Sequence, residues 1–301
     1  MSYNQQIEFY KKRQFGEKLN ATFVFIRENA LPFFKIQLMI AGPILLLIAI
    51  LLGTMVGDLN FDFQSGFTAN DIISMLEVYG LSLLSTMVTT TVIPAVTYGY
   101  MVAYQESAPK DITVASVTKG FASRFFNILG FNILTYIVVI IASMFFILPG
   151  IYVAITLSLG AAIIVIESSN PIDAFSRSFK LISGKWWSTF GLILVMVIIG
   201  YIINLFFGIP RLIIMGLDAF TSFQEDGDIN GLELMSGTSQ AMNILFSLFE
   251  TFGQILLYTL VYITVAFQYF NLVERKESRG LVSKIEQMDK GGSEDDENED
   301  Y

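Results

Sequence analysis

The sequence predicts an all-α polytopic membrane protein with six transmembrane helices, arranged as three degenerate hairpins with interfacial amphipathic helices. Three observations lead to this prediction. Of the 301 residues, 53% are hydrophobic, and they are concentrated in runs that reach about the 20 residues needed to cross a bilayer. Lys and Arg fall almost entirely in alternate connections. A basic residue followed six positions later by an aromatic pair occurs three times, each time ahead of a long apolar run.

Six apolar runs are candidate spans, and charged segments or turn signals separate them. The third and fourth are divided only by Leu148, Pro149 and Gly150, which predicts a turn there. The predicted spans are 33–56, 79–103, 127–148, 150–167, 187–209 and 243–270. The chain then divides into a cytoplasmic N-terminal segment with an interfacial helix at 1–31, a six-helix transmembrane domain at 32–271, and a cytoplasmic helix with a disordered acidic tail at 272–301.

The charge distribution predicts the orientation. Of the 18 Lys and Arg residues, 17 precede or open the first span, follow the sixth, or lie in the connections between spans two and three and between spans four and five. Arg211 alone falls on the other side. Since basic residues favour the cytoplasmic side, both termini are expected in the cytoplasm of a bacterial inner membrane. The opposite loops, about 57–78 and 210–242, are acidic, and so is the tail at 291–301.

Two interfacial helices are predicted in detail. Leu19, Phe23, Ile26 and Ala30 recur at helical spacing, which predicts an amphipathic helix lying on the inner membrane surface ahead of the first span. Between spans four and five, Asn170 is followed directly by a proline and three residues later by an acid, as at the start of a helix. This second helix is likewise expected to lie on the inner leaflet.

The basic and aromatic side chains of the three repeated segments are candidate lipid contacts. Bases favour anionic headgroups, and aromatic rings favour the headgroup level. Ordinary topology-setting charge explains the same pattern, and the two interpretations are compatible. The candidate lipid-interface residues are Arg27, Phe33, Phe34, Lys119, Phe125, Phe126, Arg177, Lys180, Lys185, Trp186 and Trp187.

Ionisable residues inside spans are candidate functional groups. Glu250 and Gln254 lie one turn apart in span six, and Arg211 lies at a similar depth at the outer end of span five, so Glu250 and Arg211 are expected to pair. Glu250 then either fixes helix packing, serves transport or a proton relay, or lines an outer vestibule. Glu167 ends span four and is expected to pair with Arg177 or Lys180.

Span two carries a hydroxyl-rich face. A proline follows this face and leaves a backbone carbonyl free one turn earlier. The face is either a helix–helix interface, in which hydroxyls satisfy that carbonyl, or the wall of a hydrophilic cavity. Its residues are Ser82, Ser85, Thr86, Thr89 and Thr90, and the proline is Pro94.

The residue types that are missing exclude several function classes. The chain has no Cys and no His, so it has no disulfide, thiol nucleophile, imidazole base or usual zinc ligand. No phosphate-binding glycine loop, calcium loop or nucleic-acid module is present. The sequence therefore predicts no enzyme, no metal and no cofactor.

Residues 148–191 carry a pattern that points to a family. Pro-Gly opens a span, Glu167 closes it, and Ala-Phe-Ser-Arg-Ser-Phe at 174–179 and Lys-Trp-Trp at 185–187 follow. The pattern resembles the membrane domain attached to some bacterial glycerophosphoryl diester phosphodiesterases and its stand-alone relatives of unknown function. The likeness extends more loosely over 110–215. In that family catalysis belongs to a separate soluble domain that uses His and acidic residues, so the resemblance implies a membrane architecture and no catalysis.

Two hypotheses for function follow. The first is a non-enzymatic inner-membrane protein that binds or organises anionic lipids or a protein partner, based on the basic and aromatic segments. The second is a small-solute transporter or permease-like protein that uses the Ser/Thr face of span two and Glu250. An intramembrane enzyme is disfavoured, because only carboxylates, hydroxyls and Lys are available.

Overall fold

The computed structural model describes residues 7–57, 69–109, 111–226 and 240–286. Every regular element in these residues is helical. The helices are α1 (Phe15–Gly57), α2 (Ala69–Glu106), α3 (Val114–Thr118), α4 (Phe121–Phe145), α5 (Ile147–Leu157), α6 (Gly160–Ile166), α7 (Pro171–Ile182), α8 (Trp186–Asp226) and α9 (Gln240–Glu277), followed by a helical stretch at 279–286. Six helical segments are long and apolar enough to cross a membrane, which confirms the predicted number of spans.

The spans pack as three sequential hairpins, formed by α1 with α2, α4 with α5 and α6, and α8 with α9. The segment before α1 lies against the end of α9. The Arg13 backbone N–H donates to Asn271 Oδ1 there at 2.8 Å. Gln268 Nε2 donates to Thr189 Oγ1 at 2.8 Å and brings the start of α8 to the same place. We call this end of the bundle the terminal end and the opposite end the distal end. The terminal end holds Phe15, Glu106, Phe121, Trp186 and Glu277.

The first interfacial helix is not a separate element, which corrects the prediction for 19–30. α1 runs without a break from Phe15 to Gly57, through Pro32 and Pro43, so the predicted domain boundary at 31/32 falls inside it. A neighbouring face is buried instead of the expected one: Phe23 is 44% exposed, whereas Thr22, Phe25 and Asn29 are fully buried. Hydrogen bonds with neighbouring spans satisfy Thr22 and Asn29, so these polar groups can share the buried face of α1 with Phe25.

An aromatic core explains why α1 stays within the bundle. Phe25 contacts Tyr104 and Phe267 at ring-centroid distances of 5.4 and 6.2 Å. Phe33 contacts Tyr100 at 5.0 Å. These rings join α1 to α2 and α9 near the terminal end, and each aromatic pair contributes about 0.5–1.5 kcal/mol through packing, the kind of contact that holds membrane spans together. This packing offsets the helix-breaking effect of proline in α1.

The turn between spans three and four lies earlier than predicted. The chain leaves helical geometry at Phe146, with φ −159° and ψ 152°, and α5 starts at Ile147. Pro149 therefore lies in the first turn of α5, where the missing N–H has no helical acceptor to lose. Span four is also interrupted between α5 and α6, at Ser158 and Leu159.

Two spans extend further toward the distal end than predicted. α2 begins at Ala69 rather than 79, and α8 continues through Pro210 to Asp226. α9 likewise passes the predicted boundary at 271/272 and ends at Glu277. The remainder of the predicted acidic loops, at 58–68 and 227–239, and the acidic tail at 291–301 lie outside the described residues.

The second and third copies of the repeated segment share one arrangement. In each, a short helix (α3 or α7) is followed by a glycine in the left-handed region and then by a span (α4 or α8). Gly120 has φ 72° and Gly184 has φ 77°, which glycine adopts without steric cost. The first copy differs, because its basic and aromatic residues lie within the uninterrupted α1. The predicted helix from Asn170 is present as α7, and the Asn170 side chain accepts from the Asp173 N–H.

Candidate functional site

A cavity of about 500 Å³ lies between α1, α2, α8 and α9, in the distal half of the bundle. Its wall lies entirely within four of the candidate spans. One side is apolar and is formed chiefly by α1. The polar part of the wall consists of Ser82, Ser85, Thr86, Thr89, Asn204, Arg211, Ser247, Glu250, Thr251, Gln254 and Tyr258.

Helical periodicity places these residues together. On α2, Ser82, Ser85 and Thr89 recur every three or four residues, so they share one face. On α9, Glu250 and Gln254 continue the same kind of stripe. The structure therefore brings together the Ser/Thr face, Arg211, Glu250 and Gln254, which the sequence identified separately. The distal part of the Ser/Thr face therefore forms the wall of a cavity, which is the second of the two interpretations.

Arg211 and Glu250 form the predicted ion pair. Arg211 Nε donates to Glu250 Oε1 at 2.7 Å, and Nη2 donates to Oε2 at 3.4 Å. Ser247 Oγ and Asn243 Oδ1 accept further hydrogen bonds from the guanidinium at 3.4 and 3.5 Å. The two side chains are 20% and 28% exposed, so both remain accessible from the cavity. The pair fixes α8 against α9 and leaves the cavity wall without net charge.

Two hydroxyl groups of the wall donate within their own helices. Thr86 Oγ1 donates to the Ser82 carbonyl at 2.9 Å, and Thr251 Oγ1 donates to the Ser247 carbonyl at 2.7 Å. Each hydroxyl oxygen keeps lone pairs that can accept from a bound molecule. The wall thus combines hydroxyl acceptors with the amide of Gln254 and one charged pair.

Pro94 has a structural role at the edge of the cavity that faces the terminal end. It removes the backbone donor to the Thr90 carbonyl, which instead accepts from Asn132 Nδ2 at 3.1 Å and from the Tyr262 hydroxyl at 3.4 Å. Asn132 Nδ2 also donates to Thr91 Oγ1 at 3.1 Å. Two neighbouring spans, α4 and α9, therefore satisfy the carbonyl that proline frees. The donors are therefore Asn132 and Tyr262 rather than the Ser/Thr hydroxyls of span two, which the sequence suggested.

A layer of buried polar atoms continues from the cavity toward the terminal end. Tyr258 in the wall stacks near Tyr262 at 6.3 Å, and Tyr262 contacts Tyr98 at 6.0 Å. Among the described residues, the Tyr98 hydroxyl and both polar atoms of Gln37 have no hydrogen-bond partner. Buried polar groups are costly when unpaired.

The candidate lipid-interface residues differ in exposure. The prediction for Phe33 is wrong: its side chain is 1% exposed and packs in the aromatic core, so it does not contact lipid. Phe126 and Trp187 are 66% and 77% exposed. Phe34, Phe125 and Trp186 are half-buried. Of the candidate bases, Arg27, Lys119, Lys180 and Lys185 are exposed.

Arg177 belongs to a side-chain cluster around Glu167 and is not a free lipid contact. Its Nη2 lies 2.9 Å from Glu167 Oε1, which confirms the predicted pairing. The Tyr269 hydroxyl donates to the same carboxylate at 2.8 Å, and Arg279 Nη2 lies 3.5 Å away. The hydrogen bond with Glu277, and then that with Glu167, raises the pKa of the Arg177 guanidinium, which stays charged at physiological pH. The cluster joins α6, α7 and α9.

The sequence interpretation missed a polar seam between α1 and α9. Lys18 is 2% exposed, and its Nζ donates to Gln268 Oε1 at 2.7 Å. Thr22 Oγ1 lies 3.1 Å from Thr264 Oγ1. The available signal was the spacing of four between the polar residues in each helix, which indicates a polar face. The apolar face of the same segment concealed it.

Together, the fold and the cavity define a polytopic α-helical membrane protein with a polar cavity among its spans. The chain belongs to the family described as Domain of unknown function (DUF7847), which it matches over residues 110–272, more than half of its length. That match includes Arg211 and Glu250 and leaves out the Ser/Thr face of α2. No curated protein and no solved structure matches the chain.

Proposed function

We propose that the protein is a permease-like membrane protein that binds a small polar solute without net charge in the cavity between α1, α2, α8 and α9. The supporting observation is that three spans, α2, α8 and α9, contribute 11 polar side chains to one cavity of about 500 Å³, and α1 closes it with an apolar side. Small-molecule sites in proteins commonly measure about 300–1,000 Å³. Polar groups inside spans are costly to maintain, which favours a functional reason for gathering them.

The charge of the wall indicates the class of solute. Arg211 and Glu250 are the charged residues of the wall, and they neutralise each other. A singly charged ion therefore finds no uncompensated countercharge. A neutral solute can use the hydroxyls and the Gln254 amide, and a zwitterion can offer a carboxylate to Arg211 and an ammonium group to Glu250.

Thermal unfolding of the protein in lipid nanodiscs tests this proposal. Zwitterionic amino acids and neutral sugars are compared with acetate and ammonium ions at equal concentration. A solute bound at 100 times its Kd should stabilise the folded state by about 2.7 kcal/mol. We expect protection by one or more solutes of the uncharged or zwitterionic class. The proposal would be contradicted if the ions protect the protein as well as the uncharged and zwitterionic solutes do. It would also be contradicted if none of the compounds protects the protein.

A pair of variants on α2 sharpens the experiment. Ser85→Leu places a larger apolar side chain in the cavity wall and should abolish the protection. Leu84→Met alters the neighbouring residue, which is 56% exposed on the outside of the helix, and should leave protection unchanged. If both variants are protected like the wild type, the solute binds elsewhere.

Binding or organising anionic lipids is a second candidate function. The observation that favours it is the row of exposed bases and aromatic rings near the terminal end, including Lys119, Lys180 and Lys185 beside Phe126 and Trp187. Each base near an anionic surface contributes about 1 kcal/mol. This proposal includes a bacterial inner membrane, cytoplasmic termini and a possible protein partner. The absence of enzymatic activity and the likeness to the phosphodiesterase membrane domain stay predictions.

A further inference from the structure

A second cavity, of about 520 Å³, lies at the terminal end between α2, α3, α4 and α6. It is separate from the cavity of the proposed solute site and shares no residue with it. Its polar wall includes two bases, one acid and several neutral donors. These are Arg124 and Lys119, Glu106, and Ser123, Asn127 and Ser116.

Arg124 is half-buried in this wall. Its Nη1 donates to the Val117 carbonyl at 3.4 Å, which is a long hydrogen bond. A Cβ added to Gly99 would lie 3.1 Å from the same nitrogen, so the absence of a side chain there gives the guanidinium its place against α2. Within the part of the chain that the structure describes, no carboxylate lies within 4.0 Å of Arg124. Arg177 and Arg211 differ, since each is paired with an acid.

The other groups of the wall complement Arg124. Lys119 is exposed one residue before the left-handed Gly120, and it adds a second positive charge. Ser123 and Asn127 follow at spacings of three and four residues along α4, which places them on one face with Gly120. Glu106 is exposed and forms no ion pair with either base among the described residues. The cavity therefore carries an excess of one positive charge.

We infer that this second cavity binds a phosphate-ester anion, with Arg124 and Lys119 as its charged ligands. Guanidinium groups bind phosphate oxygens in forked, charge-assisted pairs. Ser123 and Asn127 supply neutral donors to the remaining oxygens. The headgroup of an anionic lipid and a soluble phosphate compound share this chemistry. The inference gives a specific site to the second candidate function and is independent of the solute cavity.

Native mass spectrometry of the delipidated protein tests the inference. The probes are short-chain phosphatidylglycerol, short-chain phosphatidylcholine and inorganic phosphate. We expect one phosphatidylglycerol to bind more tightly than phosphatidylcholine. Arg124→Gln and Lys119→Gln should each weaken that binding about tenfold, which corresponds to about 1.4 kcal/mol. Arg27→Gln removes an exposed base outside this cavity and should change the affinity less than twofold.

Glu106→Gln distinguishes a binding site from a structural role. Removing the acid from the wall should tighten phosphatidylglycerol binding severalfold, a gain that damage to the fold cannot produce. Lys119 and Glu106 are exposed, so their variants keep the test decisive even if Arg124→Gln unfolds.

The source of the phosphate follows from competition. If inorganic phosphate fails to displace phosphatidylglycerol, the lipid headgroup is the ligand. If inorganic phosphate binds alone and responds to the same three variants, the site takes a soluble phosphate compound. Binding of both probes that is unchanged in Arg124→Gln, Lys119→Gln and Glu106→Gln would overturn the inference. Thermal protection by uncharged solutes is measured separately, so the two proposals fail independently.

Discussion

Glu250 is the residue whose role the cavity most changes. It pairs with Arg211 at 2.7 Å, as a packing residue would, yet it also faces a space large enough for a solute. Neutralising it separates the two roles. Arg211 retains hydrogen bonds to Asn243 and Ser247, so it does not lose all its partners.

We predict that Glu250→Gln lowers stability by less than about 2 kcal/mol, because a neutral amide still accepts a hydrogen bond from Arg211. The affinity for the solute, measured from its protection in the nanodisc unfolding experiment, should fall at least about tenfold. Glu77→Gln, an equal change at an exposed residue of α2, is the matched control. A large loss of stability with normal solute binding would identify Glu250 as a packing residue only.

Glu167 is predicted to be mainly structural. It is 14% exposed and binds Arg177, Tyr269 and Arg279. Glu167→Gln should destabilise the protein by about 2–3 kcal/mol, since the arginines lose a shared countercharge in a partly buried site. Glu8→Gln removes the carboxylate from the exposed pair with Lys284 and should leave the unfolding temperature nearly unchanged, because solvent screens exposed ion pairs. Equal unfolding temperatures for the two variants would show that the cluster contributes little.

At the scale of helices, Pro94 couples three spans through the Thr90 carbonyl. Asn132 and Tyr262 are its two donors from α4 and α9. Asn132→Leu and Tyr262→Phe each leave one donor, whereas the double variant leaves none. We predict that the double variant loses about 1–3 kcal/mol more than the sum of the single changes, the cost of an unsatisfied carbonyl.

A Pro94→Ala background provides the control for that cycle. Alanine restores the backbone N–H, so the Thr90 carbonyl regains a helical donor. The extra loss in the double variant should then shrink to a few tenths of a kcal/mol. The coupling would be excluded if the losses in unfolding free energy of the two single variants sum to that of the double variant both with Pro94 and with Ala at position 94.

Close packing of α1 on α9 beside the cavity depends on Gly53. A Cβ at this position would lie 2.8 Å from the Ile244 Cα, and a backbone atom cannot move aside easily. Gly53→Ala should destabilise the protein by about 1–3 kcal/mol through overpacking. Gly208→Ala in α8 meets nothing within 4 Å and should be neutral or stabilising by up to about 1 kcal/mol. Similar losses in thermal unfolding for both variants would refute the close approach.

The sequence predicted helices and their number better than it predicted their ends and faces. Long apolar runs identify spans because length and hydropathy are local properties. The buried face of α1 was not predictable locally, since Thr22 and Asn29 find partners 242 and 71 residues away, in α9 and α2. The Arg211–Glu250 pair was predictable from equal depth in adjacent spans. The contribution of the Ser/Thr face to that same cavity depends on how α2 packs, which the sequence does not display.

At the scale of the whole molecule, the bundle has two chemically different ends. The terminal end joins the chain ends through Arg13 and Asn271, buries Lys18 in a polar seam and exposes most of the described bases. The distal half opens into the polar cavity among four spans. A polar cavity in one half and exposed bases at the other end are consistent with both proposed functions.

Water access to the cavity tests the central claim most directly. Because the chain contains no cysteine, an introduced thiol is the only one present. Single-cysteine variants Ser85→Cys, in the cavity wall, and Leu84→Cys, on the outer surface of α2, are placed in nanodiscs and treated with a charged methanethiosulfonate reagent. The cysteine thiolate attacks the reagent and displaces methanesulfinate, and the thiolate forms in water and not in lipid. We predict that Ser85→Cys reacts at least about tenfold faster than Leu84→Cys, a difference of about 1.4 kcal/mol in activation free energy. Equal and negligible reaction of the two variants would contradict a hydrated cavity and, with it, the proposed solute site.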